Sequence, residues 1–520
     1  MSNHKADYVV VGAGSAGSAI TRRLIDAGYS VHVIEAGQVD TNPNIHSPQG
    51  WPGLLMSDDD WAVMTAPQSH AAGRSLYWPR GKVLGGSSSL NGMIYMRGDK
   101  SDYEAWEAAG ATGWGWKNVF PLFKKSEDHQ DGATEYHGAG GPLHVERIPL
   151  ADRHPAGQAF VEAAKATGIE QTDDFNEDKL DGVGFNHTTT KNGKRASAWQ
   201  SFVVPILDSD RLTVTTGALV HRILIEGGRA VGVEFAVAGV VQQARAEAEV
   251  IISAGTIGSP KILMLSGIGP AAQLKEHGIA LVKDLPGVGE NLHDHLLVSN
   301  IYESKEPLAP GKANLLESQL FARSSQWDGP APDLQPLFLH LPYPTDGGST
   351  PENGYTIAPG IVRPASRGTL KLASADPNDQ AISDPNIFSE DYDLEAMVDA
   401  LILCREIGQQ DAFAPFRKLE FKPGPDVTTR DELREFCRRM AGTYHHQVGT
   451  CRMGTDDLAV VDPTLKVFGI DRLRVADASV MPSIPSANTN AASIMIGEKL
   501  AEMLLGVSTE PVPALATTSR

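Results

Sequence analysis

Asp7-Tyr8-Val9-Val10-Val11-Gly12-Ala13-Gly14-Ser15-Ala16-Gly17 carries a short apolar, β-branched run into a glycine-rich turn. Tyr8 to Val11 reads as a buried strand, and Ser18-Ala19-Ile20 through Asp26-Ala27 has the spacing of a helix with Gly28 as its stop. In such a unit Gly12 permits the tight turn, Gly14 lets backbone approach a pyrophosphate, and Gly17 lets the helix lie close on the sheet. Ser15 and Ala16 sit beside them, where the helix N-terminus faces the phosphates. A second strand, Val31-His32-Val33-Ile34, ends at Glu35-Ala36, with Glu35 18 residues past Gly17. A carboxylate at that distance accepts hydrogen bonds from an adenosine ribose. A glycine turn alone is a weak signal, but strand, helix and acid together predict a dinucleotide site. Glu35 would repel a ribose phosphate, which argues against NADP and leaves NAD and FAD.

The chain around this unit has 520 residues, 41% of them apolar, enough for two connected domains with sizeable cores. Its formal charge of −19 disfavours nucleic acid and anionic membranes and gives a soluble acidic surface. No run reaches the length of a membrane span, and the first strand follows Met1 with no signal-peptide core, so a cytoplasmic protein is expected. Cys404, Cys437 and Cys451 are odd in number, widely spaced and match no metal pattern; they read as structural thiols.

Strand-like and helical segments alternate in the first third, as in a doubly wound α/β unit. Thr213-Val214-Thr215, Ile223-Leu224-Ile225, Ala230 to Phe235, Val250-Ile251-Ile252 and Leu473-Arg474-Val475 read as strands returning to it, so the unit is discontinuous. The expected fold class is α/β (α+β overall). The dinucleotide domain covers 1–139, 201–296 and 423–506, and a second, antiparallel-sheet substrate domain covers 140–200 and 297–422. Alternation in Thr369-Leu370-Lys371-Leu372 suggests a half-buried strand, and Asp393 to Ile407 a helix. Residues 507–520, rich in Thr, Pro, Ala and Ser, read as a frayed tail. Phe185, Phe321, Phe338 and His340 are weighed both as core and as pocket lining, with Phe338 and His340 on one face of an extended segment.

Three further motifs separate the cofactors: Gly81-Lys82-Val83-Leu84-Gly85-Gly86-Ser87-Ser88-Ser89-Leu90-Asn91, Gly255-Thr256-Ile257-Gly258-Ser259-Pro260 continuing to Gly269, and the block from His446 to Asn490. With the glycine turn they resemble the glucose-methanol-choline (GMC) oxidoreductase family from end to end. Asp102 to Trp106 and Gly113 to Trp116 look most like its bacterial alcohol and sorbose dehydrogenases. The resemblance implies FAD, roofed by the second domain's sheet. It assigns Leu84, Gly86, Ser87, Asn91, Gly92 and Met93 to the flavin, Asp477 and Ala478 to the ribityl and phosphate region, and the Val220 backbone to the adenine. Relatives that bond the flavin covalently place a histidine where this chain has Leu90, so a dissociable FAD is expected. Trp51 and Trp61 fall in a segment that resembles the family's active-site entrance, with plain packing as the alternative.

By the same resemblance His446, in Tyr444-His445-His446-Gln447-Val448-Gly449-Thr450, matches the active-site histidine, and Asn488 its partner. The pair implies alcohol oxidation, with His446 as the base that takes the hydroxyl proton and Asn488 holding the hydroxyl oxygen. Imidazole suits the task because its unperturbed pKa of ~6.5 lies near working pH. His445 is the competitor, and an extended backbone would send it to the opposite face. Asn488 and Asn490 precede a helix with Ile496, Leu500, Met503 and Leu504 on one face, whose positive N-terminal end can stabilise charge on a reduced flavin. His293 and His295 invite a metal reading, but lack a third ligand at matching spacing, and no metal is expected.

Choline-oxidising members carry a carboxylate where this chain has Leu297, so an uncharged alcohol, polyol or sugar is the expected substrate. Tyr444 stands where several oxidases have a small aliphatic residue, which leans toward a dehydrogenase passing electrons to a quinone or protein rather than to oxygen. The family's hydroxynitrile lyases supply the alternative, without net redox chemistry. Oligomeric state is left open.

Overall fold

The computed structural model describes residues 4–506, so the tail expected over 507–520 lies outside the described residues. The strand His4–Val11 sits centrally in a seven-stranded sheet, parallel to Val31–Ile34 on one side and to the end of Val240–Ile252 on the other. Leu212–Thr215 adds beyond Val31–Ile34, and Leu473–Val475 pairs in parallel with Val250 to Ile252. Ala218–Glu226 and Arg229–Val237 extend the sheet as an antiparallel meander. Every strand predicted to return to this layer does so. Its central parallel strands, Val9 to Val11, Val31–Ile34 and Val250 to Ile252, are buried on both faces, which is why they read as continuous hydrophobic runs, whereas the antiparallel meander is half exposed. The first helix is Ser15–Asp26, three residues longer at its start than its apolar spacing suggested, and Gly28 past its end has φ +91°. Ala16, Ala19, Ile20 and Leu24 bury its inner face.

The second layer is a six-stranded antiparallel sheet in the order Arg417–Lys422, Asn300–Ser304, Gly354–Ala358, Leu337–Leu339, Ser318–Phe321, Gly182–Phe185. Helices Pro155–Ala166 and Asp391–Gln409 pack on its outer face over Tyr302, Leu320, Phe338, Tyr355 and Ile357. Its inner face presents Leu337, Leu339 and Ala358 to the space between the layers. Phe185 and Phe338 belong to the outer core, His340 packs at a tilt on Phe338 with ring centroids 5.4 Å apart, and Phe321 packs on Phe175, so none of the four weighed residues lines the cavity. The shared face of Phe338 and His340 is the one turned to the helices.

Two segments sit apart from the expected layer assignments. The hairpin Thr369–Lys371 with Ile382–Asp384 packs Leu370, Leu372 and Ala381 into the core of the seven-stranded layer. Helix Arg430–Met440 packs Leu433, Phe436 and Met440 against the helix Asp391–Gln409 beside the second layer. A short three-stranded sheet, Gly360–Ile361, Leu296–Leu297 and Gly442–Thr443, ties the two layers together just ahead of His446. Among the described residues no helix is long and apolar enough to cross a membrane.

Candidate active site

A cavity between the two layers gathers the residues singled out from the sequence. Every expected cofactor and catalytic residue lines it except Gly17 and Leu84. At Gly17 a Cβ would meet the Gly12 carbonyl oxygen at 2.0 Å, so this glycine serves the close packing of helix on sheet. Leu84 does not line the cavity: its N–H donates to the Gln38 carbonyl at 3.0 Å and its side chain is buried in the core of the seven-stranded layer. Leu90 lines the cavity, backed by Ile45, Leu54 and Val83. Trp51 and Trp61 line it as well; the Trp51 indole donates to the Asn314 carbonyl at 2.8 Å.

The residues present fit FAD. Gly14 has open space where a Cβ would stand, directed into the cavity, and helix Ser15–Asp26 has no side-chain cap. Helix Asn490–Leu505 is likewise uncapped by a side chain and starts at the same cavity. Ser15 Oγ joins the two starts by donating to Asn490 Oδ1 at 2.7 Å. Two such helix starts leave unpaired N–H groups and positive dipole ends facing one space, the arrangement that accepts a pyrophosphate and a reduced flavin. Glu35, buried at the end of its strand, accepts from Ala13 N and Gly37 N at 2.8 Å each, which fixes the carboxylate with lone pairs to spare. Asp477 accepts from Gly255 N at 2.9 Å, Ser259 Oγ at 2.5 Å and Ser479 N at 2.8 Å, pinning the start of helix Gly255–Leu265 to the cavity wall. The loop of the second motif docks on the glycine turn through Gly85 N and the Ala13 carbonyl, 2.9 Å apart. Gly86 (φ +52°) must be glycine there: a Cβ would lie 2.9 Å from Gly14 Cα.

His446 is held at both ring nitrogens. The Asn488 amide nitrogen lies 3.2 Å from its Nε2, and its Nδ1 lies 3.0 Å from His295 Nδ1. Gln335 Nε2 donates to Asn488 Oδ1 at 3.1 Å, which orients the Asn488 amino group toward the imidazole. Because that amide donates, Nε2 is the bare nitrogen and Nδ1 carries the proton, which His295 accepts. Burial, reinforced by His295, His445 and Arg80, holds His446 well below the ordinary imidazole pKa. The result is a neutral imidazole whose Nε2 lone pair, accepting from the Asn488 amide, lies at the cavity. Asp294 fixes the backbone beneath it, accepting from His446 N at 2.8 Å and Gln447 Nε2 at 2.7 Å, and from the Thr443 hydroxyl. Burial raises the Asp294 carboxyl to about 6.

His445 departs from expectation. Its backbone is left-handed, φ +66°, so the segment is not extended there and both histidines line the cavity. The Arg80 guanidinium on its carbonyl and Thr443 Oγ1 on its N–H, 2.8 Å, hold this conformation, which costs a non-glycine residue about 1–2 kcal/mol. Unlike His446, His445 has no hydrogen-bond partner at its buried Nδ1, and burial drives its pKa to about 3. Tyr444 stacks on His446 with ring centroids 5.6 Å apart, and its hydroxyl donates to the Gln335 carbonyl.

Sequence reasoning left His295, Gln335, Arg80 and Arg195 without a role in the site. Arg195 is buried with no carboxylate partner among the described residues. It donates to the carbonyls of Ile45 (2.6 Å), Ser88 (3.1 Å) and Asn91 (2.6 Å) and to Asn91 Oδ1 (2.7 Å), tying down the loop that carries Leu90. Burial pushes its pKa down to about 9. His293 accepts from Ile484 N at 3.0 Å and sits 2.6 Å from the Asn291 carbonyl, so its ring serves the loop structure.

The GMC oxidoreductase family model matches the chain with its N-terminal part over residues 6–297 and its C-terminal part over 364–497. The alcohol dehydrogenase [acceptor] of Pseudomonas putida is 42% identical, covering 96% of this chain and 95% of the relative. The oxygen-dependent choline dehydrogenase of Brucella ovis is also 42% identical, covering 96% of each. Among solved structures, pyridoxine 4-oxidase from Mesorbium loti superposes with a TM-score of 0.92 at 34% identity, covering 96% of this chain and 99% of that one.

Proposed function

The chain belongs to the GMC oxidoreductase family and is an FAD-dependent oxidoreductase acting on CH–OH groups; from that premise we propose that it oxidises an uncharged primary alcohol with an apolar body. The observation that carries this reading is the His446 Nε2 lone pair, facing the Asn488 amide inside a cavity whose other wall is apolar. Leu297, Leu316, Leu337, Leu339, Tyr343 and Ala358 supply that wall, and none carries a charge. A quaternary ammonium would find no carboxylate in it, and a polyol few hydrogen-bonding partners.

An alcohol seated there replaces the Asn488 contact. Its hydroxyl donates to His446 Nε2, its oxygen accepts from the Asn488 amino group, and its carbon chain lies on the leucines. Loss of the carbinol hydride would leave a protonated carbonyl, so His446 takes the hydroxyl proton as the C–H bond weakens. His295 accepts from Nδ1–H and keeps the ring turned, while Gln335 keeps the amide from rotating away. Bound FAD supplies the two-electron hydride acceptor. Gly12, Gly14, Ser15, Ala16, Glu35 and the Val220 backbone would hold its adenosine diphosphate end, and Gly86, Ser87, Asn91, Gly92, Met93, Asp477, Ala478 and Asn490 its flavin end. Leu90, which lines the cavity at the position where covalent relatives place their histidine, offers no nucleophile, which supports a dissociable cofactor.

The Tyr444 phenol, anchored to Gln335 and stacked on His446, narrows access beside the base and supports a quinone or protein as electron acceptor. Three cysteines, all buried and unpaired, support a reducing compartment, the cytoplasm. The test is anaerobic mixing with aliphatic and benzylic alcohols, polyols and choline. The flavin band bleaches with the uncharged apolar alcohols and stays with choline, and admitting air gives little peroxide. A flavin bleached only by choline would overturn the substrate class.

A further inference from the structure

Outside the cavity, His129, His137, Asp174 and His187 converge in one buried cluster, their nearest nitrogen and oxygen atoms all within 4.8 Å of one another. His129 ends the strand Glu127–His129 and His187 opens His187–Thr188, on either side of the strand Leu143–Arg147; His137 and Asp174 come from loops. His137 Nε2 lies 2.7 Å from Asp174 Oδ2, His187 Nδ1 3.5 Å from the same oxygen, and His129 Nε2 3.4 Å from His187 Nδ1. These separations bracket about 3.3 Å, the edge of a tetrahedron whose metal–ligand bonds are 2.0–2.1 Å.

We propose that these four residues form a structural zinc site. Once His137, held protonated between Glu127 and Asp174, gives up its Nε2 proton, three imidazole nitrogens and one carboxylate oxygen, all buried, are a donor set that suits Zn²⁺ in tetrahedral coordination with no open position. The surroundings orient three of the four donors, and His187 Nε2 is buried without a hydrogen-bond partner. His137 Nδ1 is 2.9 Å from Glu127 Oε1, so its proton goes to that carboxylate and Nε2 turns to the metal, a carboxylate–histidine–metal arrangement. Asp174 Oδ1 is occupied by Asn176 N at 2.8 Å, leaving Oδ2 for the ion. His129 would carry its proton on Nδ1, 4.0 Å from the Asp131 carboxylate, in place of the 3.3 Å donation it now accepts from Asp131 N. Of the nearby cations, Arg97 donates to Glu127 at 2.7 Å, and Arg147 donates to Asp131 at 2.8 Å while its second amino group lies 3.8 Å from Asp174 Oδ2, a contact the metal would displace. Binding releases the proton shared between His137 and Asp174, so the metal takes the place of a proton that bridges the same atoms.

The site's place in the fold says what it secures. Tyr95 N donates to the His187 carbonyl and Thr189 N to that of Met93, at 2.9 and 2.8 Å, so His187 and its neighbours hold the segment that brings Met93 and Ile94 to the cavity. A zinc ion would clamp three stretches, 129–137, 174 and 187, behind that segment.

The experiment uses FAD-loaded enzyme purified without chelator. Elemental analysis gives about one zinc per chain. After chelator dialysis, Zn²⁺ titrated calorimetrically restores one site and raises Tm by about 3 °C or more, and Co²⁺ in its place gives the visible bands of tetrahedral coordination. His187→Gln and His129→Asn each weaken Zn²⁺ binding at least tenfold and lose the rise in Tm, with the flavin spectrum retained. Sub-stoichiometric zinc, no titration heat and no cobalt bands in the wild-type enzyme would show a buried hydrogen-bond network only and overturn the proposal. So would variants that bind Zn²⁺ as the wild type does.

Discussion

The seven-stranded layer meets the cavity with backbone: glycines, uncapped helix starts, and carboxylates spent on N–H groups. The six-stranded layer meets it with side chains, a row of leucines on one face of a sheet whose other face is equally apolar. A backbone site needs particular residues at particular steps, because only glycine adopts Gly12's φ of +98° and only the absence of a side chain leaves room at Gly14. A side-chain wall needs only shape and hydrophobicity, which many sequences satisfy. The first region is therefore intolerant of substitution and shared in its chemistry. The second is free to change, and is where one member of a family comes to differ from another.

The contrast is broken most directly at Gly12. In Gly12→Val the new Cβ would meet the Ser253 carbonyl oxygen, 2.3 Å from the ideal position, at a φ that valine does not adopt. Purified protein should carry no flavin absorbance and melt well below the wild type; a yellow, stable variant would sink the backbone argument. Gly14→Trp separates folding from binding, since the space there is open: it should fold and still lack FAD. His446→Ala comes next, at the seam between the regions. FAD content stays, and stopped-flow flavin reduction slows roughly 10²–10⁴-fold. Near-normal reduction would hand the role to His445.

Leu297→Glu tests the side-chain wall alone. Neutral alcohols should lose about tenfold or more in kcat/KM, because a carboxylate is buried among leucines, and choline should begin to bleach the flavin. The smallest effect concerns pH. Burial keeps His446 neutral, so no inflection at the ordinary imidazole value of ~6.5 is expected from it. Asp294, raised to about 6, protonates below that pH and loosens its hold on His446 N and Gln447, which should cost a few-fold in reduction rate. That acid limb should vanish in Asp294→Asn; a limb that persists there belongs to the imidazole and contradicts its neutrality.

The same contrast explains what could be read from the chain. The glycine turn and Glu35 were legible because each residue type there does something few others can, whereas His446 and Asn488 were legible only through the family resemblance of their block. The strands of the seven-stranded layer were legible from apolar runs, whereas in the six-stranded layer only the extended segment around Leu337–Leu339 was. Which face of Leu337–Leu339 looks inward was not: alternation pairs Phe338 with His340, but only the helices on one side decide that the leucines take the cavity. The reading of His445 failed because one left-handed residue resets the alternation, and nothing local announces it. His295 and Gln335 act on residues more than 150 positions away, His446 and Asn488, so no spacing rule reaches them.

One contact ties the cofactor crevice to the calendar of protein synthesis. Ser15 and Asn490 meet across 475 residues, and in the next turns Arg23 grips buried Glu498 through both carboxylate oxygens. A nascent polypeptide emerging from the ribosome exposes its phosphate-binding loop long before Asn490, yet that loop stays half built until residue 490 has been translated. Loading of the vitamin-derived cofactor therefore waits on the helix that Asn490 opens, and termination ahead of residue 490 should yield colourless protein, checked by the flavin absorbance of the purified fragment.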